Sequence, residues 1–243
     1  MVHRMNNAFL FCSRWKAASA CVGVFLGFVA PTWATLTVSY QSDPSQGAYA
    51  VSSVDLIEST SLALLGATDT GYTPFTFDSG TSTTAALNDG FQGVSYSPGN
   101  GALSSGAFDI DGAWTSTFFL NGGYTINQIE TFASWPAARS SQACIVSLRL
   151  VGNPTFTPLT TIDFQVSPDQ SSRIVISDTG GPLAANVDAI RFDFFTASGI
   201  ASSREAVYRE LDVFGTAVIP EPSSVGIFVV GGAALLFAFF RKR

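Results

Sequence analysis

The stretch Ile190-Arg191-Phe192-Asp193-Phe194 alternates between apolar and charged side chains. Successive side chains of a β-strand point to opposite faces, so this pattern predicts a strand with one buried and one solvated face. Two further stretches fit strands in the same way, Ser172-Arg173-Ile174-Val175-Ile176 and Tyr208-Arg209-Glu210-Leu211-Asp212-Val213-Phe214. Other runs rich in apolar and β-branched residues also predict strands; they are residues 35–40, 51–57, 114–120, 126–132, 144–150 and 159–166.

Turn-forming residues separate these runs, as at Asn88-Asp89-Gly90, Asn121-Gly122-Gly123 and Gly180-Gly181-Pro182. A helical turn near residues 62–65 is the only amphipathic helical pattern in this region. We therefore predict an all-β domain over residues 35–217, an antiparallel β-sandwich with one core. Residues 97–106 read as a Gly/Ser-rich loop, and residues 216–222 as a short linker.

The N-terminal region has the features of an export signal. A basic region that includes Arg4, Arg14 and Lys16 precedes an apolar stretch at residues 17–30, and Thr32-Trp33-Ala34 follows. Small residues at the first and third of these positions suit a signal peptidase, so we predict a signal peptide at residues 1–34. An uncleaved signal anchor is the alternative, and both interpretations place the body in the export pathway.

The C-terminal region contains a second signal. Pro220-Glu221-Pro222-Ser223 precedes an apolar run at residues 225–240, and Arg241-Lys242-Arg243 follows. Sixteen helical residues span about 24 Å, and flanking Arg and Lys side chains can extend this towards a hydrocarbon core of about 30 Å. The basic cluster predicts a cytoplasmic C-terminal side. Residues 218–243 thus contain a predicted transmembrane helix, and a plain membrane anchor is one interpretation.

The Pro-Glu-Pro motif, the apolar run and the basic cluster together resemble the PEP-CTERM sorting signal of Gram-negative bacteria. The resemblance covers residues 220–243. It implies recognition by an exosortase-type processing enzyme, cleavage near the motif, a transient stay in the inner membrane, and delivery to the cell surface or an exopolysaccharide matrix.

The composition between the two signals excludes several functions. Residues 35–222 hold six arginines, no lysine and all eighteen acidic residues, a formal net charge of −12. This strongly negative net charge argues against nucleic-acid binding, which requires a basic surface. The only histidine is His3, so the domain cannot form a Ser-His-Asp triad or a histidine zinc site. Cys144 is the only cysteine of the domain and is expected to be a buried, inert thiol.

The order of motifs resembles a galactose-binding-like jelly roll, the fold of discoidin and many carbohydrate-binding modules. The resemblance spans about residues 80–217 and rests on Asn88-Asp89-Gly90, on the stretch Tyr124-Thr125-Ile126-Asn127-Gln128-Ile129, and on the segment from Tyr208 to Gly215. An immunoglobulin-like sandwich is the alternative fold.

This resemblance implies a structural calcium ion held by an early Asp-Gly loop and a late glutamate, positions that Asp89 and Glu210 match. Calcium prefers oxygen ligands, which carboxylates and loop carbonyls supply. In the alternative interpretation, Asp89 only forms an Asx turn and Glu210 is a solvated strand residue.

A glycan pocket in a loop after the strand at residues 126–132 is the second implied site. There Trp135 offers a face for stacking on a sugar ring, and Arg139 offers paired hydrogen bonds. Alternatively, Trp135 covers a sheet edge and Arg139 forms a structural ion pair. Trp114, on a strand, is expected in the core.

Three functional classes follow. The first is an exported, non-catalytic surface or matrix protein that binds exopolysaccharide, and the second is a structural or adhesive surface protein without a specific ligand. The third is a glycoside hydrolase that uses two carboxylates. We predict a protein that is not an enzyme.

Overall fold

The computed structural model describes residues 35–45, 49–71, 84–91, 108–111, 113–134, 139–198 and 205–218. Over these residues the chain is almost entirely β-structure with antiparallel pairing, which confirms the predicted class. The strands are β1 (Leu36–Asp43), β2 (Leu64–Thr70), β3 (Phe108–Asp111), β4 (Trp114–Ser134), β5 (Gln142–Leu150), β6 (Thr157–Phe164), β7 (Ser171–Asp178), β8 (Ala184–Phe194) and β9 (Glu205–Ala217).

The long strand β4 divides the sheet into two layers. Its first part pairs with β2 on one side and β8 on the other, and β5 and β6 continue that layer beyond β8. Its second part pairs with β7 and β9, and β1 and β3 extend that layer at its two edges. Hydrogen bonds therefore connect all nine described strands, while the side chains of the two layers face a shared core.

The predicted turn Asn121-Gly122-Gly123 is a bend inside β4 rather than a connection between two strands. Gly122 has a φ of 104°, a region that residues with a side chain rarely adopt. A Cβ on Gly123 would collide with the side chain of Asn186. The glycines therefore let one strand turn from the first layer into the second.

The alternating stretch in β8 behaves as its pattern predicts. Ile190, Phe192 and Phe194 are buried, while Arg191 and Asp193 lie on the opposite face and form an ion pair of 2.9 Å. Trp114 stacks on Phe194 with ring centroids 4.6 Å apart, which confirms its predicted core position.

Contacts across the core hold the two layers together. The rings of Phe194 and Tyr208 lie 4.8 Å apart, and the backbone N–H of Ala143 donates to the Tyr208 hydroxyl at 2.8 Å. Cys144, next to Ala143, is fully buried, and burial raises the pKa of its thiol to about 12, as expected for an inert cysteine.

Strand β9 contains a β-bulge at Arg209. Phe132 pairs with Glu210 and the next residue, Ala133, pairs with Tyr208, so Arg209 has no partner position on β4. Tyr208 and Leu211 would face opposite sides of a regular strand, yet both lie in the core. The extra residue restores the alternation, which explains why two polar residues separate Tyr208 from Leu211.

Several local predictions are wrong. Residues 51–57 do not form a strand but run beside β9, where the backbone N–H of Leu56 donates to the Val213 carbonyl at 2.8 Å. The helical turn near residues 62–65 is absent, because β2 begins at Leu64. A single 3-10 turn occurs at Thr84–Leu87 instead. Residues 216 and 217 belong to β9 rather than to a linker.

The sandwich has two distinct ends. The exit end comprises the β4 bend, the first residues of β1 and β2, and the last residues of β5, β7 and β9. The loop end comprises the last residues of β4 and β6 and the first residues of β5, β7 and β9. Tyr124 pairs with Ala217 at the exit end and Ser134 pairs with Ser171 at the loop end, which separates the ends by about ten residues of β4, or about 33 Å.

The predicted signal peptide at residues 1–34 lies outside the described residues, as do Trp135 and residues 97–106. Of the predicted sorting signal at residues 218–243, only Val218 is described. Within the described part of the chain, no helix is long and apolar enough to cross a membrane.

Candidate functional site

Glu210 lies on β9 with its carboxylate completely buried. No N–H or hydroxyl group donates to either of its oxygens, although the residue is 0 % exposed. This contradicts the alternative that Glu210 is a solvated strand residue. A buried carboxylate without a donor is costly, because it has lost its hydration without gaining an equivalent interaction.

Asp89 lies close to Glu210. The two side chains are within hydrogen-bonding reach of each other, and because both groups are acceptors when ionised, such a bond requires a proton on one of them. Asp89 also forms an Asx turn, since the backbone N–H of Phe91 donates to its Oδ1 at 3.0 Å. The turn and the proximity to Glu210 therefore occur together, and the two interpretations of Asp89 are compatible.

Three more carboxylates, those of Asp55, Glu58 and Asp212, complete what we call the carboxylate cluster with Asp89 and Glu210. Each of the three residues is at most 3 % exposed, and each has one side-chain oxygen that is buried without a partner. Their other oxygens are bound: Asp55 Oδ1 accepts from Ile57 and Val213 N–H at 2.9 and 3.1 Å, Glu58 Oε1 accepts from the Ser59 hydroxyl at 3.0 Å, and Asp212 Oδ2 accepts from Ser52 N–H at 2.8 Å.

Two loops and one strand bring the cluster together. The Asn88 side chain donates to the Ile57 carbonyl at 2.6 Å, and the Ser59 N–H donates to the Asn88 carbonyl at 2.7 Å. Gly90 fits tightly between these loops: its φ is 71°, and a Cβ there would lie 2.7 Å from Glu58 Oε2. The loop at residues 52–59 is thereby fixed against both β9 and the Asn88-Asp89-Gly90 turn.

Burial raises the pKa values of Glu210, Asp212, Asp55 and Asp89, and repulsion from neighbouring carboxylates adds to the increase at the first three. Burial, followed by repulsion from Asp212, raises the pKa of Glu210 to about 10. Burial also raises the pKa of Asp212 to about 7 and that of Asp55 to about 6, and it raises the pKa of Asp89. At neutral pH the cluster therefore favours bound protons or a bound cation over free negative charge.

The donor chemistry of the cluster fits calcium. Calcium takes six to eight oxygen ligands and accepts a mixture of carboxylates and backbone carbonyls. Among the described residues, no group of three or more His, Cys, Asp and Glu side chains is arranged to hold a metal as it stands. A site built on Asp89, Glu210 and loop carbonyls needs only two carboxylates. The Glu210 oxygens, which accept no hydrogen bond from an N–H or hydroxyl group, are available to coordinate a cation.

Sequence reasoning missed Asp55, Glu58 and Asp212 as members of the cluster. The usable signal was local: Asp55 interrupts the 51–57 run, and Glu58 directly follows it. Asp212 was assigned to the polar face of β9. Only the packing of the 52–59 loop over that face buries it.

Arg139 lies at the loop end, in the connection between β4 and β5. Its side chain is half-buried, and its backbone carbonyl accepts from Val207 N–H at 2.7 Å. This bond fixes the end of the β4–β5 loop against the beginning of β9. Trp135, the other predicted glycan-binding residue, lies outside the described residues, so the pair cannot be described as one site.

The chain was compared with known proteins. No family model and no curated protein sequence matches it. Solved structures that resemble it include family 32 carbohydrate-binding modules. One, from Clostridium perfringens in complex with GalNAc-β-1,3-galactose, is 14 % identical, with 61 % of this chain and 94 % of that chain covered and a TM-score of 0.40. Another, from Streptococcus pneumoniae EndoD, is 8 % identical, with 66 % and 98 % covered and a TM-score of 0.44.

A third similar structure is the family 32 module of AlyQ in complex with 4,5-unsaturated mannuronic acid. It is 16 % identical, with 62 % of this chain and 95 % of that chain covered and a TM-score of 0.38. All three TM-scores are low, so the fold described above rests on the strand order and pairing of this chain.

Proposed function

We propose that this chain is an exported, non-catalytic β-sandwich protein of the cell surface or its exopolysaccharide matrix, and that its loop end binds polysaccharide. Sorting would proceed through the PEP-CTERM signal at residues 218–243 and an exosortase-type enzyme. The observation that carries the proposal is the opposite placement of two features. The chain leaves β9 towards the sorting signal at the exit end, while the Arg139 loop lies at the loop end.

This arrangement suits a module that faces a matrix. A domain held at one end presents its other end outwards, and the β4–β5 loop is supported there by a hydrogen bond to β9. Loops on a rigid sandwich are common positions for recognition residues. Arg139 would donate to sugar hydroxyls or carboxylates, and Trp135 would stack on a sugar ring.

The same domain would hold one structural calcium ion. Asp89 and Glu210 would supply carboxylate oxygens, and the Asn88-Asp89-Gly90 turn would supply backbone carbonyls. When bound, the cation would neutralise the repulsion among the buried carboxylates. The support for this assignment is the pair of buried oxygens on Glu210 that accept no hydrogen bond from an N–H or hydroxyl group.

A carboxylate-based hydrolase is disfavoured by the burial of the cluster. A catalytic pair must flank the scissile bond and contact the substrate. Glu210, Asp212, Asp55 and Glu58 are each at most 3 % exposed, so a polysaccharide would not reach them.

The test is binding of the full-length chain, purified in detergent, to the exopolysaccharide of its own host by affinity electrophoresis. We expect retardation by the polysaccharide, and a loss of at least tenfold in affinity for Trp135→Ala and for Arg139→Ala, about the size of one lost charge-assisted or stacking contact. Val54→Ala, which removes an apolar side chain 88 % exposed on the side of the domain, serves as the control and should bind normally.

Equal migration of the wild-type chain with and without polysaccharide would contradict the glycan assignment. Normal surface display together with that result would favour the second class, a structural or adhesive surface protein without a specific ligand.

A further inference from the structure

We infer that the exit end of the domain is a lipid-contacting face, which lies on the membrane surface while the apolar run 225–240 is embedded in the bilayer. The inference rests on the proposed sorting signal, because that run is what would bring the domain to the membrane. It adds a second interaction surface, opposite to the loop end.

The exposed apolar side chains of the domain concentrate at the exit end. Among the described residues, nine large hydrophobic side chains are exposed, and six of them lie at this end. They flank the first residues of β1 and β2 and the last residues of β5 and β9; they are Leu36, Leu62, Leu65, Leu150, Val151 and Val218. Isolated exposed hydrophobic residues are normal in soluble proteins, but their collection at one end indicates an interaction surface.

An open apolar cavity lies at the same end. It has a volume of about 220 Å³ between β5, β6 and the segment that leads into β8. Leu148, Leu150, Pro158, Leu159 and Leu183 line it, and none of its lining residues is charged. Leu150 and Val151 lie beside this cavity and would enter the lipid interface. At that depth the cavity could accept part of a lipid acyl chain.

The acidic groups described at the exit end differ in how their charge is compensated. Asp188 forms an ion pair with Arg149 at 2.7 Å. Asp178 accepts from the backbone N–H groups of Thr35 and Gly180 at 3.0 and 2.7 Å, which stabilise its carboxylate without removing its charge. The domain as a whole is strongly acidic and would be repelled by an anionic membrane, so approach through an end at which part of the negative charge is compensated costs less than approach through a more acidic face.

The segment between Val218 and the apolar run, residues 219–224, is the tether of the domain. It is short enough to hold the exit end at the bilayer. The backbone N–H of Val218 donates to the Gly123 carbonyl at 2.9 Å, so the chain is fixed to the β4 bend up to that residue. Only six residues separate Val218 from the start of the apolar run at Val225. Even a fully extended chain of that length spans about 25 Å, less than the length of the domain along β4. The exit end is therefore confined near the headgroups.

A lipid surface is the occupant that these observations favour. The apolar side chains come from both layers and both edges of the sandwich, which suits a broad fluid surface more than a single peptide. The tether reaches the bilayer directly, whereas a second copy or a separate partner would have to be recruited to the same place.

The experiment uses the full-length chain reconstituted into vesicles of phosphatidylethanolamine and phosphatidylglycerol. In a Cys12→Ser, Cys21→Ser background the remaining cysteine is Cys144, which is fully buried. An environment-sensitive fluorophore is attached at Val151→Cys or Val218→Cys, at the exit end. Val54→Cys is the matched control, because Val54 is an apolar residue 88 % exposed on the side of the domain.

Lipids that carry a spin label at the headgroup or upper acyl chain then quench the fluorophores that touch the bilayer. We expect quenching at Val151 and Val218 several-fold stronger than at Val54, although Val54 is the more exposed residue. Equal and weak quenching at all three positions, with the chain floating with the vesicles after carbonate extraction, would overturn the inference while leaving the anchor intact.

Failure of the chain to float would overturn the anchor, and with it the inference. A blue shift at Val151 without lipid quenching would assign the exit end to contact between copies of the chain, and would also overturn it.

Discussion

At the scale of single residues, Glu210 has the most unusual environment in the described structure. It is a carboxylate that pairs opposite Phe132 on β4, is closed from solvent, and has no donor on either oxygen. A fold tolerates such a group only if a proton or a cation neutralises it. Which of the two does so determines how the domain responds to calcium.

We predict that calcium stabilises the wild-type chain and that Glu210→Gln abolishes the response. At calcium 100-fold above its dissociation constant, linkage gives about 2.7 kcal/mol of stabilisation. For a domain of this size this corresponds to an increase in Tm of about 5–10 °C, measured by circular dichroism at pH 7.5 with calcium and with chelator. In chelator, Glu210→Gln should be at least as stable as the wild type, because the folded wild type must keep Glu210 protonated at a pH at which the unfolded chain ionises it.

The control for this measurement is Asp163→Asn, an exposed carboxylate at the loop end that is outside the cluster. It should keep the full calcium response. Equal Tm values of the wild type in calcium and in chelator would show that protons alone neutralise the cluster.

At the scale of elements, β9 and the 52–59 loop create the cluster together. β9 contributes Glu210 and Asp212 on its polar face, and the loop places Asp55 and Glu58 over that face. In an isolated strand these two β9 carboxylates would be hydrated. The loop replaces that water. The Ser52 N–H group of the loop donates to Asp212, and the N–H groups of Ile57 and Val213 donate to Asp55.

This burial predicts that the calcium-free domain loses stability as the pH rises. In the folded state the pKa values of Asp55 and Asp212 are raised to about 6 and about 7, from 3.8. Between about pH 4 and pH 7 the folded state thus binds more protons than the unfolded state, so the free energy of unfolding decreases with pH. The slope is at most about 1.4 kcal/mol per pH unit for each group.

Urea unfolding in chelator from pH 4.5 to pH 8 measures this dependence, which calcium should flatten. The triple variant Asp55→Asn, Glu210→Gln, Asp212→Asn keeps an oxygen acceptor at each position and should also flatten it, because the pKa of Glu210 is raised to about 10 and would otherwise maintain the slope. A free energy of unfolding that rises with pH over this range would contradict the prediction.

The two deviations from regular strand structure illustrate how far the sequence predicted the elements. The sequence predicted a strand at residues 208–214 but not its bulge at Arg209-Glu210, and it predicted a turn at Asn121-Gly122-Gly123, where the strand bends instead. The sequence does not reveal whether the second is a turn or a bend. A hairpin and a bent strand demand the same glycines, and only the partners β2, β7, β8 and β9 distinguish them.

At the scale of the whole molecule, we propose that one end of the described domain binds glycan and infer that the other end contacts the membrane. We predict that the protein purified from native cells lacks Arg241-Lys242-Arg243, because cleavage near Pro220-Glu221-Pro222 would remove them. Mass spectrometry of the intact protein measures this. Replacing Glu221 with Ala should block processing, and retention of the three basic residues in the wild-type protein would contradict the sorting assignment.

Short-range patterns alone determined the all-β class, most strand positions, the core role of Trp114 and the inert character of Cys144, because strand alternation is a local property of the chain. A resemblance in the order of motifs, rather than a short-range pattern, suggested Asp89 and Glu210 as a calcium-binding pair, which stays a prediction. The tertiary structure decided what residues far apart in sequence do to one another. It buried Asp55, Glu58 and Asp212 around Glu210, turned one strand through two layers, and collected Leu36, Leu62 and Val151 at the end where the chain leaves the domain. Those outcomes depend on how the two layers pack on each other and how the loops cover them. The burial and the pKa of a residue depend on its neighbours and not on the residue alone.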